Sequence, residues 1–286
     1  MTKLYTILIF IVLASCAFSN EIWVDADKGD DNNPGTRQLP MKSPSEAVYK
    51  CGNQGGLIHL KGIFYTGLKV KKTHFTDKLV IDGHNKTMLY GFYGTFQQFD
   101  PANPPPRSWN VLELMDCGNV EVKNLEVWGG CDWTAHIDDS YPEIGVRNVT
   151  FNNLIIRYGA PRCLFMGGHN IDGVTIKNCV VRENMYGDTT HAIYLSGGHW
   201  DGNYPPIRNV KILNNEVCYA GGRHCLQING RFENVQITGN LLYHGELAGI
   251  SLIGVQNAYV AENAIYGNNR QAIVLYDYKD GWFDPN

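Results

Sequence analysis

The reading of this chain turns on a stretch that repeats itself. It runs Val120-Glu-Val-Lys-Asn-Leu-Glu-Val127, Val149-Thr-Phe-Asn-Asn-Leu-Ile-Ile156, Val174-Thr-Ile-Lys-Asn-Cys-Val-Val181, Val210-Lys-Ile-Leu-Asn-Asn-Glu-Val217, Val235-Gln-Ile-Thr-Gly-Asn-Leu-Leu242 and Ala258-Tyr-Val-Ala-Glu-Asn-Ala-Ile265. The starts lie 29, 25, 36, 25 and 23 residues apart. A recurring unit of that size implies stacked copies, each burying its apolar side against the next.

The columns say what is stacked. Position three holds Val122, Phe151, Ile176, Ile212, Ile237 and Val260, and position eight holds Val127, Ile156, Val181, Val217, Leu242 and Ile265. Apolar and polar residues alternate within each copy, which is the period of a strand. Asn124, Asn153, Asn178 and Asn214 occupy a bend between two short strands, with Asn215, Asn240 and Asn263 in a second column beside it. Asparagine suits such a bend because it tolerates left-handed backbone, and stacked amides can bond the copies above and below. A third strand follows: Leu164-Phe-Met166, Ile193-Tyr-Leu195, Leu226-Gln-Ile228, Ile250-Ser-Leu252 and Ile273-Val-Leu275. The expectation is an all-β chain, a right-handed parallel β-helix solenoid with three strands per turn. A β-sandwich would need hairpin turns between consecutive strands and would not hold these columns in register.

Residues 1–19 read as an export signal, with one lysine and an apolar run from Leu8 to Leu13 too short to span a bilayer. Its processing has two readings: cleavage after Ala17-Phe-Ser19, or lipidation at Cys16, since Leu13-Ala-Ser-Cys16 resembles a lipobox. Either puts the protein outside the cytoplasm, with membrane contact only through such an anchor. The composition, 44% hydrophobic and 18% charged, suits one large domain, and a net charge of −4 argues against nucleic-acid binding. The cysteines are scattered singly, against a zinc site. Export permits disulfides, with Cys117–Cys131 and Cys218–Cys225 as candidate pairs. Two sequons, at Asn85 and Asn148, matter only in a glycosylating host.

Residues 20–66 read as a cap with a first strand, and residues 67–286 as the stacked body. The opening Ile22-Trp-Val-Asp-Ala-Asp-Lys-Gly-Asp-Asp-Asn-Asn-Pro-Gly-Thr36, the short helix from Ser45 and the strand Gly55-Gly-Leu-Ile-His-Leu-Lys-Gly-Ile-Phe-Tyr65 would cover one end of the stack. This opening resembles the N-terminus of secreted right-handed β-helix proteins of the pectate-lyase-like superfamily. Together with the repeats, the resemblance covers nearly all of residues 20–286. It implies action on polysaccharides, as lyase, hydrolase or epimerase, although the superfamily also holds adhesins and phage tailspikes. Asp25, Asp27 and Asp30, with Asp31 and Asn32, supply hard oxygen ligands of the kind Ca²⁺ takes, at a spacing unlike an EF-hand; a solvated loop is the competing reading. Further strands are expected at Leu68-Lys-Val-Lys71 and Leu79-Val-Ile-Asp-Gly83, and a proline-rich excursion over Phe96–Trp109.

The third strand carries the candidate site. With Ile193 and Leu195 inward, Tyr194 and Ser196 face out, and the same register turns out Gln227, Asn229 and Phe165, with His136 and Asp138 in the same columns. Arg162, His191 and His224 form a column just before them, flanked by Arg223 and Arg231. Two long loops bring Trp133, Tyr141, Trp200 and Tyr204 to the edge, rigid faces suited to sugar rings. β-Elimination of a uronate needs its carboxylate neutralised, a base for the adjacent proton and a donor for the leaving oxygen. His191, Tyr194, His224 and Arg162 are the expected catalytic set. His136, Asp138, Ser196, Trp200, Gln227, Asn229 and Arg231 are the expected substrate contacts. The segments His191-Ala-Ile-Tyr-Leu-Ser-Gly197 and His224-Cys-Leu-Gln-Ile-Asn-Gly230 also resemble ones that recur in secreted β-helix proteins. The chain departs from pectate lyases proper in lacking a cluster of calcium-binding aspartates on the stacked body, and it lacks the motifs of alginate epimerases. Hydrolysis would need two carboxylates, for which Asp138, Asp139, Glu183, Asp188 and Asp201 are candidates. A non-catalytic glycan-binding or surface-structural role is the remaining class.

Overall fold

A computed structural model describes residues 20–92, 110–130, 133–140, 143–159, 162–183, 190–197 and 205–276. Strand β1 (Asn20–Asp25) leads through a loop to the helix α1 (Pro44–Cys51), then to β2 (Gly56–Phe64), β3 (Leu68–Asp82) and β4 (Thr87–Gly91). The repeats supply β5 (Leu112–Gly129), β6 (Trp133–Asp138), β7 (Val146–Arg157), β8 (Arg162–Gly168), β9 (Ile171–Lys177) and β10 (Val180–Arg182). They continue as β11 (His191–Gly197), β12 (Ile207–Leu213), β13 (Glu216–Cys218), β14 (Leu226–Thr238), β15 (Leu241–Tyr243), β16 (Ile250–Ala261), β17 (Ala264–Tyr266) and β18 (Ile273–Tyr276). All belong to one 18-stranded sheet. The pairings are parallel throughout, as in Val120↔Val149 and Val149↔Val174.

The fold class expected from the sequence is corrected at this level. Separate three-strand turns would leave open ladders along the stack. The observed network instead closes a parallel ring of eight strands, β5-β6-β8-β11-β14-β12-β9-β7 and back to β5, with the other strands outside it. Two long strands cause the closure. β5 pairs with β6 through Leu112–Met115 and with β7 from Gly118 onward. β14 pairs with β11 through Leu226–Asn229 and with β12 from Phe232 onward. Each therefore resumes its pairing beyond a corner, β14 after a register shift between Asn229 and Phe232, and belongs to two faces at once.

The corners are built from left-handed residues. Asn124, Asn153, Asn178 and Asn214 all have φ between 53° and 57°. Asn153 Nδ2 donates to Asn124 Oδ1 at 2.8 Å, tying neighbouring copies. The adjacent column is buried at Asn215 and Asn240: Asn215 donates from its backbone and its amide to Asn240 Oδ1, and Asn240 does the same to the partly exposed Asn263 Oδ1, each bond 2.9 Å. A second corner repeats the device at Asn119, Asn148, Asn209, Asn234 and Asn257, all at positive φ. Asn148 Nδ2 donates to Asn119 Oδ1 at 2.8 Å there, so the sequon at Asn148 is spent on a structural bond.

Positions three and eight are fully buried from Val122 to Ile237 and from Val127 to Leu242, and one apolar cluster, drawn from strands of the ring and strands outside it, runs from Ile22 to Leu252. Helix α1 closes the N-terminal end by burying Pro44, Ala47, Val48 and Cys51. Proline at its first turn costs nothing, because that N–H has no helical partner. No helix among the described residues is long and apolar enough to cross a membrane.

One further expectation changes. Cys218 and Cys225 are free and buried, so that pair does not form; Cys117 is free as well, and Cys131 lies outside the described residues. Burial pushes the thiols of Cys179 and Cys225 up to about 12, which makes them inert core groups. The acidic loop spends its carboxylates on its own chain. Asp25 accepts from the backbone N–H of Asp27 and Lys28 and from Lys61 Nζ, Asp30 from Asn32, and Asp31 from Lys42 and Ser43. Among the described residues no group of three or more metal-ligating side chains occurs.

Candidate functional site

One outward face runs across eight strands. Lys69 pairs with Glu113, Glu113 with His136, His136 with Phe165, Phe165 with Tyr194, Tyr194 with Gln227, Gln227 with Ser251 and Ser251 with Val274. Two residues on, the column reads Lys71, Met115, Asp138, Gly167, Ser196, Asn229, Ile253 and Tyr276. Strand alternation dictates this grouping: Val70, Leu114, Ile137, Met166, Leu195 and Ile228 between them are core. A preceding column holds Trp133, Arg162 and His191 in register, with the His224 ring stacked on His191 at 5.7 Å.

The structure thus brings His191, Tyr194, His224, Arg162, His136, Asp138, Ser196, Gln227 and Asn229 onto one surface. Arg231 sits apart, at the register shift between Asn229 and Phe232 where β14 turns its corner. Trp200, Tyr141, Tyr204, Asp188 and Asp201 lie outside the described residues. Lys69, Lys71 and Glu113 belong to the face and were missed in the sequence. Leu68-Lys-Val-Lys71 and Leu112-Glu-Leu-Met115 share the alternation of the third strands, and that was the signal available. Because Glu113 joins Asp138 there, two carboxylates do share one outward surface.

Aromatic rings pave the centre. Trp133 stacks on His136 at 4.2 Å and on Phe165 at 4.9 Å, and Phe165 meets Tyr194 at 5.7 Å. The Arg162 guanidinium lies 4.7 Å from the Tyr194 ring centre and 5.1 Å from that of Phe165. His191 stacks on the Tyr194 ring at 4.9 Å and 15°. Asn229 Nδ2 donates to Tyr194 Oη at 3.4 Å, so the phenol oxygen has a donor aimed at it.

The histidines and carboxylates separate in character. Burial drives His191 well below the ordinary histidine range, reinforced by the charges of His224, Arg223 and Arg162. Burial also brings His224 down to about 4, with Arg223 adding to the shift. Both are neutral at pH 7. His224 Nδ1 accepts from the Ala248 N–H at 3.1 Å, which leaves the ring proton on Nε2 and makes that edge a donor. His191 is bonded to the backbone of His224. The geometry therefore suits these two to holding Tyr194 in place more than to taking a proton.

Asp138 is pushed up to about 6, by burial and then by the neighbouring charge of Asp139. Ser140 donates to Asp138 at 3.4 Å, and His136 Nε2 lies 4.0 Å from Asp138 Oδ2. Asp139 is structural. Its carboxylate accepts from the backbone N–H groups of His169 and Asn170, and the space it fills is left by Gly168, where any Cβ would overlap it. Glu113 is 5% exposed and held by Lys71 at 2.7 Å and Lys69 at 3.5 Å.

His136 is the odd member. It is 3% exposed, and neither ring nitrogen has a hydrogen-bond partner among the described residues. Burial lowers it to about 4. A buried polar group without partners costs stability, whereas an apolar group of similar shape does not. His136→Phe is therefore expected to stabilise the fold by about 1 kcal/mol at pH 7, read by denaturant titration. The sign with pH follows from the lowered value. The unfolded histidine binds its proton near 6.5 and the folded one near 4, so stability is complete above pH 6.5 and falls on acidification towards 4. The Phe variant should show a shallower loss over that window. An unchanged slope would mean that His136 is not the titrating group.

No protein-family model matches this chain, and no curated protein matches it. Solved structures do. A complex of XylC with xylose aligns at a TM-score of 0.52 and 11% identity, over 88% of this chain and 66% of that one. The pectate lyase Pel9A aligns at 0.46 and 14%, over 91% and 78%. A GH136 lacto-N-biosidase from Eubacterium ramulus aligns at 0.45 and 14%, over 84% and 44%. The chain thus spans just under two thirds of XylC and under half of the lacto-N-biosidase. These structures are right-handed parallel β-helix proteins. At these identities the likeness is one of fold.

Proposed function

We propose that this protein is an exported carbohydrate-active enzyme that cleaves an acidic polysaccharide by β-elimination. The observation that carries the reading is the Arg162–Tyr194–Asn229 arrangement: a guanidinium over the tyrosine ring and an amide donor on its phenol oxygen, on a paved, outward sheet face. Arg162 would pair with the uronate carboxylate and draw off its charge. Tyr194 Oη, as the phenolate, would take the proton from the carbon beside that carboxylate, and Asn229, which donates to that oxygen, would stabilise its negative charge before the transfer. The C–H bond and the adjacent C–O bond break, a carbon–carbon double bond forms, and the electron pair leaves with the glycosidic oxygen. That oxygen then takes a proton, which Tyr194 can return. His191 and His224, neutral and hydrogen-bonded, would position the ring, while Gln227, Ser196 and the aromatic rings would contact the sugars. The sugar-handling neighbours in the structure comparison fit this reading.

A second reading rests on Asp138. A carboxyl held at about 6 is suited to general-acid work near neutral pH, and Glu113 on the next strand supplies the second carboxylate a hydrolase needs. Its weakness is that Glu113 is already neutralised by two lysines. Ultraviolet absorbance of unsaturated uronate, followed over a panel of uronate polysaccharides, separates the two. Rising absorbance supports elimination. New reducing ends without absorbance favour the carboxylates. Binding without either product favours a glycan-binding protein.

A further inference from the structure

The N-terminal end of the face continues past the proposed reaction centre into a cavity of about 340 Å³ between α1 and β3. Ser45, Tyr49 and Asn53 line one side of it, and Lys69, Lys71 and Thr73 the other. Tyr49 is 84% exposed, a large ring on the solvent side of a helix whose opposite side is buried. The two lysine side chains are 44% and 42% exposed, and both lean on the same carboxylate, Glu113. One buried negative charge thus orders two ammonium groups and leaves one positive charge in surplus. Lysine normally loses much rotamer freedom on binding an anion; here Glu113 has already restrained both chains. The volume suits a sugar-sized ligand.

Position makes the cavity part of the face. The ladder Lys69↔Glu113↔His136↔Phe165↔Tyr194 takes four strand steps, roughly 19 Å at about 4.8 Å per step. A polymer lying along the stack over Tyr194 and Phe165 passes His136 and then reaches the lysines.

We infer that Lys69, Lys71 and Tyr49 form a distal subsite for an anionic sugar, binding its carboxylate or sulfate several units from the bond that is cleaved. This rests on the reading of the face as a polysaccharide site and adds to it a preference for long, charged chains. The lysines grip the anionic group and the Tyr49 ring covers the sugar, with Asn53 on the helix side of the cavity beside its hydroxyls.

The test reads binding, so that it does not depend on turnover. Affinity electrophoresis or titration calorimetry would compare the wild-type protein with Lys69→Gln/Lys71→Gln/Glu113→Gln, which removes the surplus charge without leaving a buried carboxylate unpaired. Tyr49→Ala is a second variant, at a position too exposed to affect folding. The probes are polygalacturonate, a trisaccharide of the same uronate, a sulfated glycan and neutral dextran. The expected result is wild-type binding to an anionic polymer that the triple variant weakens about tenfold and Tyr49→Ala weakens several-fold, with trisaccharide binding unchanged. Which anionic polymer binds better identifies carboxylate or sulfate. Equal polymer binding by wild type and both variants would overturn the subsite while leaving the centre at Tyr194 intact. Wild-type binding to dextran alone, or to none of the probes, would overturn the acidic-polysaccharide reading and the subsite together.

Discussion

Tyr194→Phe is expected to lower turnover on an acidic polysaccharide by roughly 10²- to 10⁴-fold, the contribution typical of a positioned acid–base group. The ring would remain stacked on His191 and under Arg162, so the fold and the sugar platform should survive. Only the oxygen that accepts from Asn229 is lost. Substrate affinity should therefore change by no more than a few-fold. The check is steady-state kinetics together with a binding measurement on the inactive variant. A Phe variant with near wild-type turnover would remove Tyr194 from the chemistry and pass the role to Asp138.

The second large effect concerns the stack itself. Asn240→Ala should destabilise the protein by about 3–5 kcal/mol, because one amide serves four neighbours. Its oxygen accepts from the backbone and the side chain of Asn215, and its nitrogen donates to the carbonyls of Ile212 and Thr238 and to Asn263 Oδ1. Asn240 is 2% exposed, so water cannot replace these bonds. For a chain of this size the melting temperature should drop by roughly 10 °C. Asn153→Ala is the comparison. Its amide bonds Asn124 and Asn85 at an exposed corner, and water can take over there, so about 1 kcal/mol or less is expected. Equal effects at the two positions would mean that the buried column is not what ties the copies together.

The columns of the repeats were legible because alternation fixes which side chains enter the core, and Val122, Phe151, Ile176, Ile212 and Ile237 do so completely. What alternation does not carry is whether a strand survives a corner. Asn119 and Gly230 look like breaks, yet the ladders of β5 and β14 continue past them, and that continuity closes the ring. It depends on whether the neighbouring copy offers matching bonds at the corner, which is not a local property. The second asparagine corner was hidden for a related reason. Asn148 reads as a chance sequon in isolation, and only its bond to Asn119 shows its function.

The site divides in the same way. Its columns followed from register, so Tyr194, Ser196, Gln227 and Asn229 could be placed together from the sequence. The character of each group could not, since it depends on burial and on partners distant in the chain. His191 and His224 look like bases until their burial and backbone bonds are known. Asp138 looks like an ordinary carboxylate until Asp139 and its own burial raise it. Lys69 and Lys71 precede the repeats by some 50 residues, so only the alternation of Leu68-Lys-Val-Lys71, and no place in the repeat, pointed to them.

The most direct test of the central claim is to digest a uronate polysaccharide in heavy-oxygen water and weigh the products. Elimination breaks the chain without adding water, so the account requires unsaturated fragments free of the label, formed by wild type and absent with Tyr194→Phe. Fragments carrying one heavy oxygen at the new end would show hydrolysis and contradict it.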